Sequence, residues 1–540
     1  MKKYIYSLFI LITALAPFFI TSQFKEPIML DYGLIIQPLE SMKNLSDLYY
    51  SYINHTNFDI QPLRDLSHLI DIQLSNDDTK DIIPLVHNIL LYLFTAFLLL
   101  KNFTLMGFKS RYRYLLVTIF LVHPAIFHIY VEFTARKHIL SFLFIQASIY
   151  FYLKSFFQEK KDYILSYFFY FFALLSQPIN ALGFIHFFFH QNKINLKKRA
   201  LQLLPFALTL IFFFALNRFY YSLLYDDTSK YVIDMNIYKF FIASAFYLRQ
   251  LFLPYSFAAY YDYYSNLLII YLLISPLFYY FVYKLDKSKF IMFCILTAAP
   301  YLTLYGTKTN IYSDLYFNYY LLPFFFIFLL FINLILEKFP KTYLYMKYLL
   351  PIILGSISIY YATLRVDKFT YYKNNLKLET HCKTLEAVLM KYIELGDINS
   401  LVSNGNLWLS RQCLVYSQIT GFQYGFIFSH LIYIDQNLSI KEKTDLFEKK
   451  YTQSKDLLVL KIGLLINNKY PDEEIQSELK KFDESEGKSF FLFFSFIRNT
   501  INQYCSQESM VRKDGCLHYT EYKERTKNII PNLKMKNHSN

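Results

Sequence analysis

The chain has 540 residues, 55% of them hydrophobic and only 18% charged, with 57 Phe, 52 Tyr and 12 Gly. That composition excludes a disordered chain, a collagen-like repeat and a small disulfide scaffold, and it is too poor in charge and Gly for an ordinary soluble protein of this length. The net charge of +14 is read as Lys and Arg beside anionic lipid, not as a nucleic-acid surface.

Met1-Lys2-Lys3 precedes an apolar run over 4–21 that no clear cleavage site follows, so it is read as a retained first span rather than a signal peptide. Residues 23–82 hold four basic residues against ten acidic ones, which fits an external loop. Further spans are expected at about 83–100, 114–131, 138–153, 163–176, 179–191, 201–222, 266–283, 289–305, 318–336 and 346–363. The connecting segments 101–113, 154–162, 191–200, 284–289 and 337–347 are basic, and those between them are not. With the N-terminus inside, every basic loop falls inside, provided 238–262 forms an interfacial or re-entrant helix. The expected fold is all-α: a polytopic bundle over 1–365 with about eleven crossings, followed by an external helical domain over 366–540.

Cys294 lies in an expected span, and Cys382, Cys413, Cys505 and Cys516 lie in the tail. Two disulfides are allowed there, Cys505–Cys516 being the local choice, and four unpaired thiols are the alternative.

No phosphate loop, Cys-x-x-Cys, His-Glu-x-x-His or Gly-x-Ser-x-Gly motif is present, so soluble nucleotide-sugar, protease and hydrolase chemistry has no support. Polar residues gather instead near span ends, where ionisable groups are costly unless they face a cavity or water. One group is His123-Pro124 with His128, Glu132, Arg136 and Lys137. A second is Asp31. A third runs from Tyr247-Leu248-Arg249 through Pro254 to Tyr260-Tyr261. The bland readings are snorkelling cations, a solvated loop carboxylate and an amphipathic surface helix.

Together these groups resemble the GT-C glycosyltransferases, above all the transmembrane and TPR-containing protein O-mannosyltransferases and their bacterial relatives. The resemblance rests on His123-Pro124 followed by Arg136-Lys137-His138-Ile139-Leu140, on Leu175-Ser176-Gln177-Pro178, and on Tyr247 to Tyr261. It also rests on Phe317-Asn318-Tyr319-Tyr320-Leu321-Leu322-Pro323, and on Asp31-Tyr32 with Leu63-Arg64-Asp65-Leu66 in the first loop. It spans roughly 1–365. Several family positions differ: His128 stands for a Glu, Gln177 for a Lys, Phe317-Asn318 for an acidic-Arg pair, and Asp31 alone for an acidic pair.

The resemblance implies transfer of a sugar from a polyprenyl-phosphate donor to a protein or glycan acceptor at the external face. A lipid phosphate leaves as a stable anion, so one carboxylate base suffices and the sugar carbon inverts. Asp31 is the expected base. Arg136, Arg249, Lys137 and His123 are the expected phosphate-binding groups, with His128, Glu132 and Arg64 as further site candidates. No cofactor is expected; a divalent metal is left open, although carboxylates are few. Membrane lipid is an expected partner and nucleic acid is not. A bacterial inner membrane is the expected location, with the tail periplasmic. An inactive scaffold or binding protein, an O-antigen ligase or polymerase, and a transporter stay open.

Overall fold

The computed structural model describes 2–22, 44–53, 60–76, 82–155, 160–177, 196–224 and 312–364, together with shorter pieces between 39 and 42, at 79–80, and within 251–284, 369–405, 462–480 and 501–517. The chain divides into two compact units, Met1–Thr384 and Leu385–Asn540.

Among its described residues the first unit is helical apart from connecting turns and one short antiparallel pair. Its helices are α1 (Lys2–Ser22), α2 (Leu45–Ile53), α3 (Pro62–Leu74), α4 (Ile82–Leu105), α5 (Ser110–Val122), α6 (Pro124–Val131), α7 (Arg136–Ser155), α8 (Lys160–Ser176) and α9 (Leu196–Leu224). After these come β1 (Tyr260–Tyr261), β2 (Tyr312–Ser313), α10 (Asp314–Lys338) and α11 (Thr342–Leu364). β1 and β2 pair antiparallel, Tyr260 opposite Ser313 and Tyr261 opposite Tyr312.

Local chemistry sets the ends. Asn44 caps α2 by accepting from the Asp47 N–H at 3.0 Å, while the Asp47 carboxylate accepts from the Asn44 N–H at 3.3 Å, a reciprocal capping arrangement. α4 stops at Gly107, whose φ of +77° suits the residue without a Cβ. There the Phe108 N–H reaches the Phe103 carbonyl at 3.0 Å and the Gly107 N–H reaches Thr104 at 3.1 Å, which satisfies two of the last carbonyls of α4.

The break between α5 and α6 is likewise local. Pro124 lacks an N–H and disfavours helical backbone at His123, which is extended (φ −73°, ψ 125°). The two helices bend by 52°, where the sequence suggests one span over 114–131. Two α5 carbonyls lose their partners and regain others: Leu121 accepts from the Tyr92 hydroxyl, and Val122 from the Ser358 hydroxyl at 2.8 Å. Such repair is what an apolar surrounding requires.

One core joins α1, α4, α5, α6, α7, α8, α9, α10 and α11, and within it Phe120 packs against Tyr92, Tyr130 and Phe325. Polar groups bind helices within it. Ser148 and Ser166 exchange hydroxyl-to-carbonyl bonds of 2.8 Å between α7 and α8. Asn102 of α4 donates to the Gln146 carbonyl and side chain of α7, each at 2.9 Å. Small hydroxyls and amides of this kind hold helices together where the hydrophobic effect gives no drive between them.

α4 and α11 are long and apolar enough to cross a membrane, and α5 with α6 adds a third crossing if the bent pair counts as one. The expectation of eleven crossings is therefore not carried by the described residues. α8 has only 17 residues, and α7 turns Arg136, Lys137, His138 and Gln146 inward, which dilutes its apolar face. The expected spans at 179–191 and 289–305, and most of that at 266–283, lie outside the described residues.

The second unit contains α12 (Asp472–Lys480), which buries Ile475 and Leu479 beside Ile501, Tyr504 and Cys516. Cys505 and Cys516 form a disulfide, the pairing that proximity in sequence favours. Gln476 accepts from the Cys516 N–H at 3.1 Å, and Tyr504 donates to Asp472 at 2.9 Å. Burial pushes the Tyr504 hydroxyl up to about 12. Cys294, Cys382 and Cys413 lie outside the described residues.

Candidate functional site

The most unusual chemistry of the first unit lies beneath α3. This helix opens at Pro62, which suits the first turn because its missing N–H has no helical partner there. Its polar residues recur at helical spacing: Gln61, Arg64 and Asp65, Ser67 and His68, then Asp71. All are buried, while Ile70 and Leu74 are 43% and 67% exposed. α3 therefore turns its polar stripe inward together with Leu69, against α4, α7 and α8, and leaves Ile70 and Leu74 outward. A loop that reads as a solvated acidic segment is in part an inverted amphipathic helix, and its outward face suits a membrane interface.

Two charge groups lie under it. In the first, the Arg64 Nε donates to Asp65 at 2.6 Å and Arg64 also donates to Gln61 at 3.1 Å. Gln61 then reaches Gln177 at the end of α8 at 3.1 Å, and Tyr52 of α2 donates to the second oxygen of Asp65. In the second, Arg136 at the start of α7 is wholly buried. It donates to Asn88 at 2.9 Å, to the Pro84 carbonyl at 2.9 Å, to the Ser67 carbonyl at 3.4 Å and to one oxygen of Asp71. The other oxygen of Asp71 takes the Nδ1 of His87 at 2.8 Å. Buried charges survive only when paired and hydrogen-bonded in this way.

His68 lies between the two groups, buried, and its Nε2 has no hydrogen-bond partner among the described residues. Burial, and then Arg136, Arg64, His87 and Lys137, hold this imidazole well below its ordinary value. The ring is a neutral group in a cationic neighbourhood.

The expected site residues thus separate. Arg64, Arg136 and Lys137 come together in one buried cluster. Glu132 is buried at the end of α6, where its N–H closes on Ile129 at 3.3 Å and its carbonyl accepts from Ala135 at 3.1 Å. His123 lies in the core and uses both ring nitrogens. Nδ1 accepts from the Ala125 N–H at 3.2 Å, capping α6, and Nε2 donates to the Leu251 carbonyl at 2.9 Å. Phe325 stacks edge-on at 4.9 Å. In this arrangement His123 ties the segment that follows Arg249 in sequence to the α5–α6 bend and keeps no nitrogen for a phosphate. Asp31, Arg249 and the His128 side chain lie outside the described residues.

His68, Asp71, His87 and Asn88 join the cluster without standing out in the sequence, and Asp65, part of the Leu63-Arg64-Asp65-Leu66 element, gains a place in it. The signal for most of them was the three- and four-residue spacing of polar side chains from Gln61 to Asp71. Among the described residues no group of three or more His, Cys, Asp or Glu is arranged to hold a metal ion. No family model, no curated protein and no solved structure matches the chain. The fold and site define a helical, membrane-associated protein with a buried ionic cluster at one end of its bundle.

Proposed function

We propose that the chain is a polytopic integral-membrane glycosyltransferase that moves a sugar from a polyprenyl-phosphate donor to a protein or glycan acceptor, at the external face of a bacterial inner membrane. The observation that carries this reading is the convergence around His68 of Arg64, Arg136 and Lys137, from two distant segments, with Arg64 paired to Asp65 and Arg136 to Asp71. Arginine forks bind carboxylate and phosphate with the same geometry. A donor phosphate entering under α3 exchanges with a carboxylate, and the cations then hold the charge that grows on the leaving phosphate. The sugar carbon inverts, a base takes the acceptor proton, and the sequence offers Asp31 for that role. A disulfide in the second unit is in keeping with an oxidising compartment and an external tail.

A second reading has an observation of its own. Arg136 already bonds to four protein acceptors, the arrangement of a structural clamp, which favours a scaffold or binding protein of the same fold.

Purified protein in lipid nanodiscs, given a panel of radiolabelled polyprenyl-phosphate sugars, separates the two. Release of sugar by the wild type, lost on Arg64→Ala with the fold intact, supports the transferase. No release from any donor sinks it and leaves the scaffold.

A further inference from the structure

The Asp71 carboxylate joins two unlike partners, and the difference between them carries an inference that rests on the transferase reading. Arg136 is fully buried and Asp71 is 4% exposed, whereas His87 is 29% exposed. The ion cluster therefore has one open end, and that end is an imidazole. A carboxylate only accepts, so the 2.8 Å contact makes Nδ1 the donor and leaves Nε2 as the unprotonated nitrogen. A buried carboxylate that fixes the tautomer and orientation of a more accessible imidazole is a general-base arrangement. His87 stands in the second turn of α4, near enough to act electrostatically on His68, as do Arg136 and Lys137. The base and the cations thus share one neighbourhood.

We infer that His87, positioned by Asp71, is the group that takes the proton from the acceptor hydroxyl, the role that the sequence assigns to Asp31. The acceptor O–H proton passes to His87 Nε2 while the acceptor oxygen bonds to the anomeric carbon. The bond from that carbon to the phosphate oxygen breaks, and its electron pair leaves on the lipid phosphate. The imidazolium then returns its proton to solvent. When a phosphate takes Arg136, Asp71 keeps its hydrogen bond to His87, so donor entry leaves the imidazole in place. Asp71 acts as a positioning residue and touches neither substrate.

The test has two parts, both on the full chain in nanodiscs. Diethyl pyrocarbonate acylates neutral, accessible imidazole nitrogens, and peptide mass spectrometry reads the sites. His87 should be modified in the folded protein while buried His68, His123 and His138 are spared. An unmodified His87 means a closed Nε2 and overturns the inference whatever the activity. In sugar release from the active donor, His87→Gln should lower kcat by roughly a hundredfold or more and leave the donor KM unchanged. Asp71→Asn should lower kcat far more than it changes the donor KM, because the imidazole loses the carboxylate that orients it. If the wild type turns over and His87→Gln matches it, the inference fails and the transferase reading stands. If the wild type releases sugar from no donor, both fall together.

Discussion

Asp71 and Arg136 are joined across 65 residues of chain, and the pair fastens the connecting helix α3 to the start of α7. Asp71 has a second partner in His87 and Arg136 has no second carboxylate among its bonds. The two members of the pair are therefore not equivalent. Asp71→Asn leaves a buried guanidinium without its anion and should cost about 3–5 kcal/mol. Arg136→Met leaves a carboxylate that keeps its hydrogen bond to His87, and should cost less. The double variant should recover part of the loss, since neither stray charge remains. Thermal unfolding in mild detergent measures all three. Equal single losses that simply add would mean that the pair is not the clamp described.

α4 spans from the turn that ends at Lys80 to the Gly107 turn, and its two ends differ in charge. Beyond Gly107, Lys109 and Arg111 stack on Tyr112, and Arg111 also stacks on Tyr343. On the proposed orientation, the positive-inside rule puts such a basic, aromatic end at the cytoplasmic interface. Lys80 and Ser110 are both exposed. In intact spheroplasts, Lys80→Cys should react with an impermeant maleimide and Ser110→Cys should react only after permeabilisation. The reverse pattern would invert the orientation and put the α3 cluster on the cytoplasmic side.

Much of this architecture was legible in the sequence, for a definite reason. Apolar runs such as those of α4, α10 and α11 specify helices by length and composition alone. The break at His123-Pro124 was also written there, because a residue before Pro resists helical backbone, but uninterrupted hydropathy on both sides hides it. The cluster was half legible. Arg136 and Lys137 stand out as charges at the end of an apolar run, and Arg64 through its place in the first loop. Asp71 and His68 do not stand out, since a polar residue in a polar loop looks solvated. Only the arrival of α4, α7 and α8 over that face buries them. His123 shows the converse: a His-Pro pair that draws the eye to chemistry is used here for capping and packing.

Close packing of α1 on α11 gives a prediction with a built-in control. A Cβ placed on Gly355 would lie 2.2 Å from Cγ2 of Thr13, the end of a stiff, β-branched side chain. Gly355→Ala should therefore destabilise the bundle by about 1–3 kcal/mol through overpacking. Thr13→Ser removes the offending methyl, and the pair Thr13→Ser with Gly355→Ala should regain most of the loss. Detergent melting temperatures decide it. An Ala variant as stable as the wild type would mean that α1 does not sit against α11 at this register.

His68 should give α3 a sensitivity to acid. Its ordinary value lies near 6.5, and in the folded chain burial and the neighbouring cations hold it well below that. Above pH 6.5 both folded and unfolded chains carry the neutral ring, and its contribution to stability is complete. As pH falls below 6.5 the unfolded chain takes a proton that the folded chain refuses. Stability should then decline by up to about 1.4 kcal/mol per pH unit from this group. The decline ends where the folded ring itself titrates. His68→Leu keeps the volume and abolishes the titration, so its melting temperature should lack this limb while sharing every other pH effect with the wild type. Subtracting the two pH series isolates His68 from His87 and from the carboxylates. A difference curve that stays flat from pH 7 to pH 5 would mean that His68 is not the neutral, cation-surrounded ring found beneath α3.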